Sequence, residues 1–283
     1  MYKAKYSDFH YTEERPLFAS DSIWVDRCSF RDGESPLKES KNIKVTDSVF
    51  AWKYPLWYCS DVVMDHSRLE FTARSGIWYT NNIEIRYSHI LAPKTFRRSS
   101  GIHIEETQIV HADETMWFCR DIHLINVQAR GDYFAINCEN LQADGLYLEG
   151  NYAFDGSKNV TIRNSTLYSK DSFWNCENVT IVNSTIIGEY IGWNSKNVTF
   201  INCVIESHQG FCYMKNVKLQ NCKVINSDLT FEYSVDIDAD IITVVDSIKN
   251  PRSGTISVKD VKELILDEKY IDTSKVKILV DKE

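Results

Sequence analysis

Ser157-Lys-Asn-Val-Thr-Ile162, Cys176-Glu-Asn-Val-Thr-Ile181 and Ser195-Lys-Asn-Val-Thr-Phe200 state one phrase three times at an interval of nineteen residues. The period can be followed through most of the chain. With the apolar residue after the Asn as reference, the series is Ile23, Ile43, Val62, Ile83, Ile102, Ile122, Leu141, Val160, Val179, Val198 and Val217. The intervals never leave 19 to 21 residues, too short for a helical hairpin repeat, so the units are coils of a solenoid.

The grammar inside each unit is that of strands. The reference residue and the one two later are both apolar, as in Val179 with Ile181 and Val198 with Phe200, which is the period of a strand with one face inward. Seven residues after the reference another apolar residue recurs (Phe30, Phe50, Leu69, Ile90, Ile109, Leu167, Ile186, Ile205), so a second short strand follows the first. Just before the reference stands Asn42, Asn82, Asn140, Asn159, Asn178, Asn197 or Asn216, a residue type that tolerates the left-handed region and can turn a corner. Six residues before it, Leu56, Ile77, Phe96, Met116, Phe154, Phe173 and Phe211 predict a third inward strand. Three short strands per coil make an all-β, right-handed parallel β-helix of about 11 to 13 coils. A single domain is expected over 1–283, with caps at 1–16 and 255–283 and coils over 17–254.

Gly33-Glu-Ser-Pro-Leu-Lys-Glu-Ser40, Trp52-Lys-Tyr-Pro-Leu-Trp-Tyr58, Gly188-Glu-Tyr-Ile-Gly-Trp-Asn-Ser-Lys-Asn197 and Gln209-Gly-Phe-Cys-Tyr213 resemble a bacterial family catalogued as a domain of unknown function and similar in fold to pectate lyases. The resemblance covers nearly the whole chain and implies a right-handed, single-stranded β-helix. It brings no established activity and no catalytic residue. Against the carbohydrate-cleaving β-helix enzymes the likeness is one of architecture only.

Composition narrows the partners. The chain has 32 basic against 40 acidic residues and a formal charge of -8, which argues against a general nucleic-acid or anionic-membrane binder. No apolar run is long enough to span a bilayer, and residues 1–16 lack an apolar leader, so a soluble cytoplasmic protein is expected. The five Asn-x-Ser/Thr triplets, from Asn159 to Asn197, then follow from the coil grammar rather than from glycosylation. No Gly-rich phosphate loop or nucleophile elbow occurs, and no cofactor is expected.

The chemistry-bearing residues gather around the third strand. Five residues before the reference stand Trp57, Trp78, Trp117, Trp174 and Trp193, in a register shared with Lys38, Arg97 and Asp155. Alternation from the inward register places this column outward, as an aromatic stripe suited to sugar rings. The competing reading packs the tryptophans beneath loops. Beside the stripe lie Lys53, Arg74, Lys94, Tyr133, Asp171 and Glu189, so charges and aromatics share a face, and its basic N-terminal half suits an acidic sugar. A solvated face with cross-coil ion pairs explains the same charges. Glu114 and Asp132, on neighbouring coils, are the best-spaced carboxylates for acid/base work, with Arg97 to neutralise substrate charge.

Two constellations read as structural. Seven of the eight cysteines fall in registers held elsewhere by Ser and Thr, as small core residues do, and not as metal or cluster ligands. Glu84, His103 and His123 form a row on three successive coils, but its outer members stand about 10 Å apart, too far to share one ion, and no metal is expected. The functional expectation is a protein that binds, and in one version cleaves, an oligosaccharide along the aromatic and charged face. The alternative is a structural or protein-binding solenoid, a homodimer included, that uses the same face as an interface.

Overall fold

The computed structural model describes residues 2–281. The chain is all-β, with one 3-10 turn at Thr273–Lys275, and falls into two units, Met1–Tyr147 and Leu148–Glu283.

In the first unit eight strands form one parallel ladder: Ala4–Ser7, Asp21–Asp26, Lys41–Thr46, Ser60–Asp65, Asn81–Arg86, Ser100–Glu105, Arg120–Ile125 and Glu139–Asp144. They pair in register through the residues that set the period: Ile23 with Ile43, Ile43 with Val62, Val62 with Ile83, Ile83 with Ile102, Ile102 with Ile122, and Ile122 with Leu141. A one-residue slip would turn every one of these side chains to water, which is why the register holds. A second ladder of short strands, from His10–Tyr11 to Gln128–Arg130, runs beside it.

The second unit repeats the scheme with seven strands: Lys158–Arg163, Glu177–Val182, Lys196–Ile201, Lys215–Ile225, Val235–Lys249, Gly254–Ile265 and Val276–Val280. Val160, Val179, Val198, Val217 and Ile237 form an in-register column within this unit. The two units therefore hold fifteen coils among the described residues, more than the 11 to 13 read from the period. The difference lies at the ends. Ala4–Ser7 pairs with the strand Asp21–Asp26, and Gly254–Ile265 and Val276–Val280 extend the long-strand ladder of the second unit, so the segments expected as caps carry strands of their own. Residues 1, 282 and 283 of those segments lie outside the described residues.

The third side of each coil differs from expectation. Among the described residues it forms a strand only at Ile77–Trp78 and Phe96–Arg97, with isolated bridges from Arg97 to Trp117 and from Thr230 to Ile248. Elsewhere it is a tight turn, and Met116, Phe154, Phe173 and Phe211 take φ between 61° and 66°. These side chains still point inward and are fully buried. Stacked rings fill the core: Phe30 on Phe50 at 4.8 Å in the first unit, Phe154 on Phe173 at 4.9 Å in the second.

The shared Ser, Thr and Cys register has a specific cause. Members of this register donate to a carbonyl of the preceding coil: Cys59 to Leu37 O (3.1 Å), Thr80 to Leu56 O (2.5 Å) and Ser99 to Ile77 O (3.1 Å). The second unit does the same with Cys176 to Phe154 O (3.0 Å) and Ser195 to Phe173 O (2.6 Å). Any short side chain with one O–H or S–H satisfies the site, so the three residue types interchange. All eight cysteines are buried thiols, and burial pushes Cys59 and Cys176 up to about 12.

Candidate functional site

In the first unit the third side carries a continuous column of Trp57, Trp78, Arg97 and Trp117. Trp57 and Trp78 stack at 5.1 Å and 9°, and the Arg97 guanidinium lies 4.6 Å from the Trp78 ring and 4.7 Å from that of Trp117. Both faces of Trp78, and one face each of Trp57 and Trp117, are therefore covered by their neighbours in the column. The polar edges are also engaged: Trp57 donates its indole N–H to Ser75 O, Trp78 to Lys94 O (2.9 Å) and Trp117 to Tyr133 O (2.8 Å). These half-buried rings clasp successive coils rather than standing open as sugar platforms.

A second aromatic row lies one residue further on, at Tyr58, Tyr79, Arg98 and Phe118, exposed at all but the half-buried Tyr79. Tyr58 and Tyr79 stack at 4.8 Å and 5°, and the Arg98 guanidinium covers Phe118 at 5.8 Å. Tyr58 and Phe118 are each 50% exposed. Alternation could not have found this row. Tyr58, Tyr79, Arg98 and Phe118 all sit at φ between 50° and 59°, and a left-handed residue breaks the strict inward–outward rule of a strand.

Most charges of this face are paired. Lys53 bridges to Glu34 (3.2 Å), and Lys38 reaches Glu39 (3.9 Å) while lying 5.7 Å over the Tyr58 ring. Glu114 takes Lys94 on one oxygen (2.9 Å) and Arg97 on the other (3.6 Å). Arg97 thus serves the column and Glu114. Glu114 and Asp132 do lie on adjacent coils, with the Glu114 N–H donating to Asp132 O (2.9 Å), and the Asp132 N–H donates to Asp113 Oδ1 (3.1 Å). Arg74, Arg98 and Tyr133 are exposed, and neither arginine has a carboxylate partner among the described residues.

In the second unit Trp174 and Trp193 stack at 5.7 Å and donate to Tyr190 O (2.6 Å) and Gln209 O (2.7 Å). Asp155 accepts from the Asn175 amide (2.8 Å), and Glu189 bridges to Lys170 (3.2 Å). Asp171 is buried, and burial raises its carboxyl above the usual range.

A concavity lies elsewhere, on the long-strand sheet of the first unit. It is a trough of about 890 Å³ lined by Asn42, Asp61, Asn82, Glu84, Arg86 and His103. The Glu84, His103 and His123 row meets it only in part. Arg86 pairs with Glu84 and with Glu105 (3.6 Å), and the two histidine rings stand 6.4 Å apart. Among the described residues no three His, Cys, Asp or Glu side chains are grouped to hold a metal.

These features define a parallel β-solenoid whose third side bears stacked aromatic and cationic columns. The chain belongs to the family described as a protein of unknown function (DUF3737), whose model matches residues 4–279. No curated protein matches it. Among solved structures it is similar to PfbA, a surface adhesin of Streptococcus pneumoniae, at 8% identity and a TM-score of 0.46, covering 84% of each chain. It is also similar to the mannuronan C-5 epimerase AlgE4 A-module of Azotobacter vinelandii, at 10% identity and a TM-score of 0.27, covering 97% of this chain and 86% of that one. At this level of similarity nothing functional passes from either to this chain. Among the described residues no helix is long and apolar enough to cross a membrane.

Proposed function

We propose that the third side of the first unit binds an extended acidic carbohydrate without transforming it. The carrying observation is the row Tyr58–Tyr79–Arg98–Phe118, exposed at Tyr58, Arg98 and Phe118, in which stacked phenols stand beside an arginine that no carboxylate among the described residues neutralises. Because the rings cover one another's faces, they offer phenolic edges, and recognition falls to their hydroxyls and to Arg98 and Arg74. A guanidinium fork suits the carboxylate of a uronic acid or a sulfate ester, and a flat row suits a polymer better than a small molecule.

Calorimetric titration with acidic and neutral oligosaccharides of equal length tests this reading. Acidic chains should bind, with affinity falling as salt rises, and Arg98→Ala or the Tyr58→Ala/Tyr79→Ala pair should weaken binding about tenfold or more, as losing one charge-assisted contact of ~1.5–3 kcal/mol would. Equal binding of neutral chains, or indifference to both variants, overturns it. A concentration-dependent solution mass that these same variants reduce to one chain would instead assign the row to a protein interface, which its Tyr and Arg composition also suits.

A further inference from the structure

The inward columns of the second unit run out uncovered at its last coil. Val245, Ile248, Ile256 and Val258 are each 1% exposed or less. Their in-register partners one coil on are not closed off in this way: Val261, Ile278 and Val280 are half-buried, and Leu264 is 45% exposed. Four apolar side chains in core registers thus stay in reach of water, against the burial that the same columns achieve one coil earlier.

The last strand, Val276–Val280, is also an open edge. It pairs with Gly254–Ile265 on one side and with no strand on the other among the described residues. The Asp281 N–H donates to Val258 O (3.1 Å), so the odd-numbered residues turn their backbone groups to the preceding coil. Ile278 and Val280 turn theirs to the free side, where unpaired N–H and C=O groups form a template for another strand.

The side chains specify which strand that is. Lys277, Leu279 and Asp281 are exposed and alternate along one face, and neither charge has an ion-pair partner among the described residues. Pairing the segment antiparallel with itself about Leu279 sets Leu279 opposite Leu279 and each Lys277 opposite an Asp281, and lets Ile278 and Val280 exchange backbone hydrogen bonds. A shift of two residues in either direction would face Leu279 with Lys277 or Asp281. A shift of one would set Ile278 opposite Leu279, whose backbone groups point away. The sequence of this edge is therefore complementary to itself in charge, in apolar contact and in hydrogen-bonding direction, as a two-fold interface requires.

We propose that the C-terminal end of the second unit binds a second copy of this chain, edge to edge and antiparallel, through residues 276–281. The pairing brings Ile278 and Val280 of both copies onto one continuous inward face and so covers the uncapped end of each core. The Lys277 and Asp281 pairs fall at the non-hydrogen-bonded positions, where opposed Cα atoms are about 4.5 Å apart and side chains interact most closely. This surface is separate from the first unit's aromatic row.

The test is the solution mass of the full chain, by sedimentation equilibrium over a wide range of concentration. The mass should rise from one chain to two and no further. Lys277→Asp and Asp281→Lys should each raise the dissociation constant about tenfold or more, because either one sets like charges opposite each other at two positions. Mixing the two variants in equal amounts should restore the two-chain species, since each supplies the charge the other lacks, and the Lys277→Asp/Asp281→Lys double variant should regain the wild-type constant. Unchanged circular dichroism shows that the variants are folded. A single-chain mass at every concentration, a two-chain mass that neither reversal weakens, a mixture that stays single-chained, or a mass that grows past two chains each overturns the proposal. Tyr58→Ala/Tyr79→Ala should leave the two-chain mass in place, which separates association through this edge from association through the first unit's row.

Discussion

The guanidinium carbon of Arg97 stands 4.6 Å from the centre of the Trp78 ring, and the same group faces Trp117 at 4.7 Å. A cation thus takes the place of a ring in an aromatic column. It fits because guanidinium is planar, weakly hydrated and drawn to the negative face of an indole.

Replacing Arg97 by Ala should lower the unfolding free energy by about 1–3 kcal/mol, since two cation–ring contacts and the Glu114 partner are lost together. Arg97→Trp should recover part of the loss by continuing the stack, and Arg97→Lys should recover less. Urea melts of the three variants check the order.

Asn178 holds a corner of the second unit at φ 58°, donating to Asn159 Oδ1 (3.0 Å) and accepting from the Asn197 amide (2.9 Å). Asn178→Ala gives up both ladder bonds and puts a β-carbon in the left-handed region, so it should cost about 2–4 kcal/mol. Asn178→Gly keeps the backbone conformation and should cost about half as much. A smaller loss with Ala than with Gly in thermal melts would show that the corner does not depend on its handedness.

Acid should act oppositely on two aspartates. The Thr46 hydroxyl, then Lys5 and Arg27, hold Asp26 below its ordinary value, so its contribution is present above about pH 4 and fades as pH falls through the lower folded value. Asp171 is raised by burial, so its neutral form suits the fold, and its contribution is full below about pH 4 and fades as pH rises through the raised value. Asp26→Asn should therefore destabilise at pH 7 and little at pH 3. Asp171→Asn should stabilise at pH 8 and not at pH 4. Denaturant melts at these pH values decide both.

The buried thiols should be silent in the native state. Cys212 is pushed up to about 12 by burial, and even Cys203, which a hydrogen bond with Cys222 lowers, is 1% exposed. A disulfide-exchange reagent at pH 8 should label none of the eight within minutes and all of them in denaturant. Prompt labelling of Cys203 would reveal opening of the coil that carries it.

Much of the fold was legible because a solenoid writes its structure locally. The column Ile43, Val62, Ile83 and Ile102 and the corner Asn residues recur at the interval of one coil, so pairing partners could be named before any coordinates. The terminal coils were not legible, because the strands Ala4–Ser7 and Val276–Val280 carry the pairing without the Asn-led phrase. On the third side the Trp57 and Trp78 rings stack half-buried, whereas Tyr58 and Phe118, one residue further on, are each 50% exposed, a detail that alternation along the chain does not contain.

The sequence by itself determined the period, the parallel register, the inward columns and the side of the coil on which aromatics and charges gather, because each depends only on spacing along the chain. The tertiary structure decided what those groups are free to do. Stacking one coil on the next covers both faces of Trp78, binds Glu114 between Lys94 and Arg97, and leaves Asp171 Oδ1 without a hydrogen-bond partner among the described residues. Those outcomes are set by side-chain neighbours about nineteen residues away and by left-handed corners that redirect them, which an alternation rule along a single strand does not contain.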